Sequence, residues 1–227
     1  MHLDNSKKMK YLLAIMIMCI CLMILSCLSC FYLIGKRNEM SLGCFIFIGI
    51  CLVIFLYCRE KYQIFQYGIK GEKDIYKDLC RGLKSAIVLR NVHLLVDRKE
   101  LEIDILVIDK EGVCIVEVKN YKGQLHGHLT DDYWIQKKRL KNGNMETKKV
   151  KNALYQLDRQ KRLLASYLRQ KKISCMIDGC VYIQVEKSDI QAISLIYEKE
   201  KLHQYILQRQ GKPIDKWQMR KIKKVFK

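Results

Sequence analysis

The polarity of the chain changes character at residue 59. Before it, Tyr11–Ile34 runs 24 residues without a charge and Ser41–Cys58 runs another 18. At ~1.5 Å per helical residue these stretches reach about 36 Å and about 27 Å, against a bilayer hydrocarbon core of ~30 Å. Only Gly35–Met40 lies between them. The pattern therefore predicts two membrane-spanning helices in a tight antiparallel hairpin, over 11–34 and 41–58. A short tail (1–10) precedes it, and a polar, aromatic-bearing linker (59–67) follows.

Beyond the linker the period shortens and lengthens in turn. Gly68–Gly82 has Ile69, Ile75, Tyr76 and Leu79 for the inner face of a helix. Ile87–Val96, Leu101–Ile108 and Val113–Lys119 are β-rich runs. The last two are joined by Asp109-Lys110-Glu111-Gly112, a hairpin turn signal. Gln124–Leu129 predicts a short strand, and Lys148–Gln170 the longest helix. Cys175–Val185 and Ala192–Tyr197 predict strands. Glu198–Gln210 and Asp215–Phe226 predict helices broken at Gly211 and Pro213. This order predicts an α/β fold, a mixed sheet flanked by helices, over 68–197, with basic C-terminal helices over 198–227.

Charge decides the orientation. Lys7, Lys8, Lys10, Arg59 and Lys61 flank the hairpin on one side, against Lys36 and Arg37 in its turn. The positive-inside rule places both termini, and the domain after the hairpin, in the cytoplasm of a cell membrane. A cleaved signal peptide fits less well: its apolar core would be shorter, and no A-x-A-like site follows. Seven of the 11 cysteines lie in the spans; Cys80, Cys114, Cys175 and Cys180 have no disulfide-framework spacing and read as buried free thiols. His126 and His128 read as strand-face residues rather than zinc ligands.

The hairpin carries the sharpest chemistry. With Lys110 and Glu111 as a two-residue loop, Asp104 falls opposite Glu117 and Glu102 opposite Lys119. The period of two puts these four on one face, with Ile103, Ile105, Val107, Val116 and Val118 on the other. Like charges directly opposite destabilise a sheet, so the Asp–Glu pair calls for a compensating partner, and a divalent cation is the natural one. Lys119 would orient or deprotonate an attacking water. The alternative is a structural cluster in which Glu102 pairs with Lys119.

The stretches Gly68-Ile69-Lys70-Gly71-Glu72, Glu102–Ile108 and Gly112–Asn120, followed by Gly123, Trp134 and Gln156, resemble the nuclease-related domain (NERD) family of PD-(D/E)xK nucleases. The resemblance implies a restriction-endonuclease-like mixed sheet. It implies metal-binding carboxylates at Asp104 and Glu117, completed by Glu72; a catalytic lysine at Lys119; and an accessory polar residue at Gln156. The metal would be Mg²⁺ or Mn²⁺. The family's Asn-Pro step before the glutamine is Asn152-Ala153 here, which touches the helix start and leaves Asn152 and Gln156 one turn apart. Trp134 reads as a core anchor.

From Lys137 to Lys172 there are 13 Lys and Arg against two acids. Such a density attracts phosphates without reading bases. Lys148, Lys149, Lys151, Arg159, Lys161 and Arg162 are the expected nucleic-acid contacts, with DNA the expected substrate. A second basic stretch, Lys216–Lys227, has a partly apolar side, and the anionic inner leaflet is a competing partner for juxtamembrane Arg59, Lys61, Lys70 and Lys73. The expected function is metal-dependent phosphodiester hydrolysis at a membrane. The alternatives are a tethered nucleic-acid-binding module and a scaffold.

Overall fold

The computed structural model describes residues 5–35, 41–140 and 142–226. The expected hairpin turn, with Lys36 and Arg37, falls at 36–40, outside the described residues, as do residues 1–4, Lys141 and Lys227. The chain divides into two compact units, Met1–Lys70 and Gly71–Lys227.

The first unit is made of α1 (Asn5–Gly35) and most of α2 (Ser41–Gly82). Lys7–Tyr32 and Gly43–Gly82 are long and apolar enough to cross a membrane. Ser26 Oγ donates to the Cys44 carbonyl at 3.3 Å, tying the two helices. The expected linker at 59–67 is helical instead. It has no glycine or proline to stop a helix, so α2 continues into the segment expected to start a new one.

The second unit holds two sheets. Strands β1 (Ile87–Val96), β2 (Lys99–Asp109), β3 (Gly112–Asn120), β7 (Ile177–Gln184) and β9 (Leu195–Ile196) form one, in the order β1-β2-β3-β7-β9. The first three are antiparallel; β3, β7 and β9 are parallel. The mixed sheet expected from the sequence is thus present. Strands β4 (Gln124–His126), β5 (Tyr133–Arg139), β6 (Met145–Lys151) and β8 (Lys187–Ser188) form a second sheet, ordered β6-β5-β4-β8.

Both faces of the five-stranded sheet are buried. On one, Ile105, Val107, Cys114, Val116 and Val118 pack with Ile75 and Leu79 of α2 and with Leu202 and Ile206 of α4 (Lys199–Leu207). On the other, Leu106, Ile108, Val113 and Ile115 meet Leu157, Leu164 and Leu168 of α3 (Ala153–Gln170). Met219 and Ile222 of α5 (Lys216–Lys224) join that core, as do Leu125 and Trp134 of the second sheet. Trp134 is the expected anchor: it is fully buried, and its Nε1 donates to the His128 carbonyl at 3.0 Å.

Five expectations are corrected. The long helix begins at Ala153, not Lys148, because Met145–Lys151 pairs along its whole length with β5. Asn152 is therefore a cap: its side chain accepts from Leu154 N and donates to the carbonyls of Leu129 and Asp131, so it does not share a helix face with Gln156. The strand expected over Gln124–Leu129 ends at His126, and that over Ala192–Tyr197 shrinks to two residues. Cys114 and Cys180 are buried thiols, but Cys80 is exposed.

Candidate active site

The hairpin between β2 and β3 positions the site. Near the turn its register is the expected one, with Asp109 paired to Gly112 and Ile105 to Val116 around the loop Lys110-Glu111, but the expected pairs Asp104–Glu117 and Glu102–Lys119 are not part of the ladder. Gly112 holds φ +114°, and a Cβ there would lie 2.5 Å from the Met176 carbonyl, so glycine is required at this turn. The ladder stops at Ile105 and Val116. Beyond it, Val118 N–H donates to Asp104 Oδ2 at 2.8 Å. The aspartate side chain replaces the sheet bond that the diverging strands no longer make.

The alternation of β2 breaks at the same residue. Ile103 joins the core that holds Leu106, whereas Ile105 joins the opposite one. Ile103 therefore does not share a face with Ile105, contrary to the period-two expectation. The cause lies across the ladder. Arg90 pairs with Ile105 and Val92 with Ile103, but Asn91 between them has φ 51° and is left-handed. One residue of each strand is turned out of the pleat, and Asp104 is the one on β2.

Glu117 lies at the centre, with 1% of its side chain exposed. Lys119 Nζ donates to its Oε1 at 2.6 Å, and Gln156 Nε2 to the same oxygen at 2.6 Å. Gln160 Nε2 donates to its Oε2 at 2.6 Å and to the Glu102 carbonyl at 2.9 Å. Lys119 also donates to Gln156 Oε1 at 3.0 Å. Lys119 thus pairs with Glu117, not with Glu102 as the structural alternative required. Gln160 was not anticipated. The available signal was its place one helical turn after Gln156, which puts both amides on the side of α3 that meets β3.

Glu72 enters from the end of α2. Gly71 before it approaches Asn120 closely enough that a Cβ would lie 3.1 Å from Nδ2. Burial, with Glu102 and Glu117 nearby, pushes the Glu72 carboxyl up to about 7. Burial and the charges of Glu117 and Glu72 hold Asp104 well above the usual aspartate range, although Lys119 and the Val118 N–H pull it down. Burial alone would lower Lys119, but Glu117 and Asp104 outweigh it and keep the ammonium protonated.

The structure thus brings Glu72, Asp104, Glu117, Lys119 and Gln156 into one neighbourhood. Among the described residues, no three His, Cys, Asp or Glu side chains are already gathered to hold a metal ion. The donor set nevertheless fits a hard cation. It is all carboxylate oxygen; burial raises Asp104 and Glu72 first, and the neighbouring carboxylate charges that raise them further are what a divalent ion would offset.

The expected nucleic-acid contacts separate. Lys148, Lys149 and Lys151 lie on β6 rather than on the helix, because that segment is a strand. On α3, Arg159 donates to the Glu100 carbonyl at 3.1 Å, Lys161 lies 3.6 Å from Asp178, and Arg162 lies 3.3 Å from Asp158.

A family model described as the nuclease-related domain matches residues 67–184, just over half of the chain. No curated protein matches it.

Proposed function

The chain belongs to the nuclease-related domain family, and from that premise we propose that it is a membrane-anchored, divalent-metal-dependent nuclease that hydrolyses phosphodiester bonds, with DNA as substrate. The observation that carries the reading is the meeting of Asp104, Glu117 and Lys119 where the β2–β3 ladder ends. Asp104 and Glu117, with Glu72, would hold Mg²⁺ or Mn²⁺. When bound, the ion supplies Lewis-acid polarisation of a phosphate and a more acidic water.

The remaining roles fall to the chain itself. The Lys119 ammonium donates hydrogen bonds to the attacking water and to oxygens on which negative charge builds. Gln156 fixes that ammonium through its carbonyl oxygen. Glu117, held by both glutamines, keeps its carboxylate in one orientation. Water oxygen bonds to phosphorus as the ester P–O bond breaks; the attacking water releases a proton to solvent, and the leaving oxygen takes one from solvent.

The hydrogen-bond net at Glu117 is satisfied by Lys119, Gln156 and Gln160 alone. That feature favours the second reading, a tethered nucleic-acid-binding module without catalysis. One assay separates the two. The full chain, purified in detergent, is offered labelled single- and double-stranded DNA and RNA with Mg²⁺, Mn²⁺ or EDTA. Metal-dependent cleavage that Asp104→Asn and Lys119→Ala abolish, with binding retained, supports the nuclease. Binding without cleavage of any substrate supports the module.

A further inference from the structure

The second sheet has one face built into the core and one face open. Trp134 on β5 pairs with Val150 on β6, and both point inward, where Trp134 is fully buried. The period of two then sends the neighbouring positions outward. On β5 these include Lys137 and Arg139; on β6, Lys149 and Lys151; and Lys187 on β8 lies beside outward Gln124 of β4. All five cations are exposed.

The register staggers these charges. Lys137 faces Thr147, Arg139 faces Met145, Lys149 faces Ile135 and Lys151 faces Tyr133. Each cation is opposite a neutral residue, so the sheet avoids direct like-charge pairs while keeping one sign. Among the described residues, no Asp or Glu occupies an outward paired position of these four strands. Asp189, beyond the end of β8, is already bonded to His126 at 2.7 Å.

We propose that this open face of β8-β4-β5-β6 is the surface on which the sugar–phosphate backbone of a nucleic-acid strand docks. The proposal rests on the nuclease reading and names the path its substrate takes. Charge complementarity identifies the occupant. The cations are interleaved with Gln124, Thr147 and the half-exposed ring of Tyr133, groups that donate to phosphate and sugar oxygens or stack on a base. A lipid surface asks only for charge and apolar anchors. The face is also joined to the candidate site by two short connections. Lys119 is five residues before Gln124, and Lys151 is five before Gln156, so each end lies within about 18 Å of a site residue by chain length. The surface retains Lys149 and Lys151 from the residues expected to bind. It excludes Lys148, which turns to the inward side beside Glu146, and the three α3 cations that already have partners on the protein.

The test uses the full chain in zwitterionic detergent, with EDTA present so that nothing is cleaved. Binding of a short fluorescein-labelled DNA strand is measured by anisotropy between about 50 and 200 mM salt. The variant Lys137→Gln/Lys149→Gln/Lys151→Gln is expected to bind tenfold or more weakly at the low-salt end. Its log–log salt slope should be shallower by about 2, the contribution of three lost phosphate contacts. Arg159→Gln/Lys161→Gln/Arg162→Gln removes the same charge from α3 and should leave the slope near that of the parent. Equal losses in the two variants, or an unmoved slope in the first, would overturn the proposal. So would loss of binding to phosphatidylglycerol vesicles with DNA binding intact, which would make the face a membrane surface. Because binding is read without metal, a chain that never cleaves can still bear out the surface. A working nuclease with an unmoved slope sinks the surface alone.

Discussion

A carboxylate with 1% of its side chain exposed persists only if its lone pairs are used, and Glu117 uses three donors. The donors are not equivalent. Gln156 is exposed and can be replaced by water, whereas Gln160 is buried and bridges Glu117 to the Glu102 carbonyl. Gln160→Leu leaves both acceptors unpaired in the interior and is expected to cost about 1–3 kcal/mol. Gln156→Ala should cost well under that. Chemical denaturation of the two variants checks the order, and equal losses would show that Gln160 is not the structural member of the pair. From sequence, a glutamine amid Arg159 and Lys161 reads as a solvated helix residue, because nothing in composition distinguishes an inward polar side chain from an outward one.

Glu72 makes a second prediction at the same scale. Its carboxyl is raised to about 7 from a usual value of 4.5, so between those values the folded chain binds a proton that the unfolded chain has released. Stability therefore falls as pH rises through that window, and Asp104 acts in the same direction. In EDTA, Glu72→Gln should flatten the decline in melting temperature between about pH 5 and 8 and raise stability at the upper end. A parallel decline in the variant would mean that Glu72 does not carry the effect.

The elements differ in how far the chain declares them. The turn of the β2–β3 hairpin and its register from Asp109–Gly112 back to Ile105–Val116 were legible, since two β-branched runs flank a two-residue loop signal. The flip at Asp104 was not. A period of two keeps Ile103 and Ile105 together, and only the left-handed Asn91 on the neighbouring strand separates them. Strands β5 and β6 were missed for another reason. Their outward faces carry Lys and Arg, their inward faces offer little beyond Trp134 and Val150, and Val150 falls at helical spacing from Leu154 and Leu157. The true helix start was marked by Asn152, which also clamps the loop before β5. Asn152→Ala removes the cap and two buried donors and is expected to destabilise by about 2 kcal/mol. Asn152→Asp keeps the cap acceptor but not the donors, so its loss should be intermediate if Leu129 and Asp131 matter. Urea titration of the pair resolves the two contributions.

At the scale of the molecule, the two halves of the sequence ask for different solvents. From Arg59 onward there are 37 Lys and Arg against 21 Asp and Glu, whereas 11–34 and 41–58 carry no charge. In the apolar windows of α1 and α2 only 11% of the residues are buried. Phe31, Leu28, Phe45 and Val53 are among the large side chains left open. Each such side chain in water forgoes about 1.5–3 kcal/mol, which a bilayer recovers. The chain is therefore expected to stay in the membrane pellet through alkaline carbonate and to leave it only with detergent. The flanking charges predict an orientation, with Lys7, Lys8, Lys10, Arg59 and Lys61 expected to resist translocation together, against Lys36 and Arg37. Trypsin should accordingly digest the basic domain in inverted vesicles and spare it in right-side-out ones. The opposite pattern would put the domain, and any nucleic acid it meets, on the far side of the membrane. That result would undo the functional reading even with every carboxylate in place.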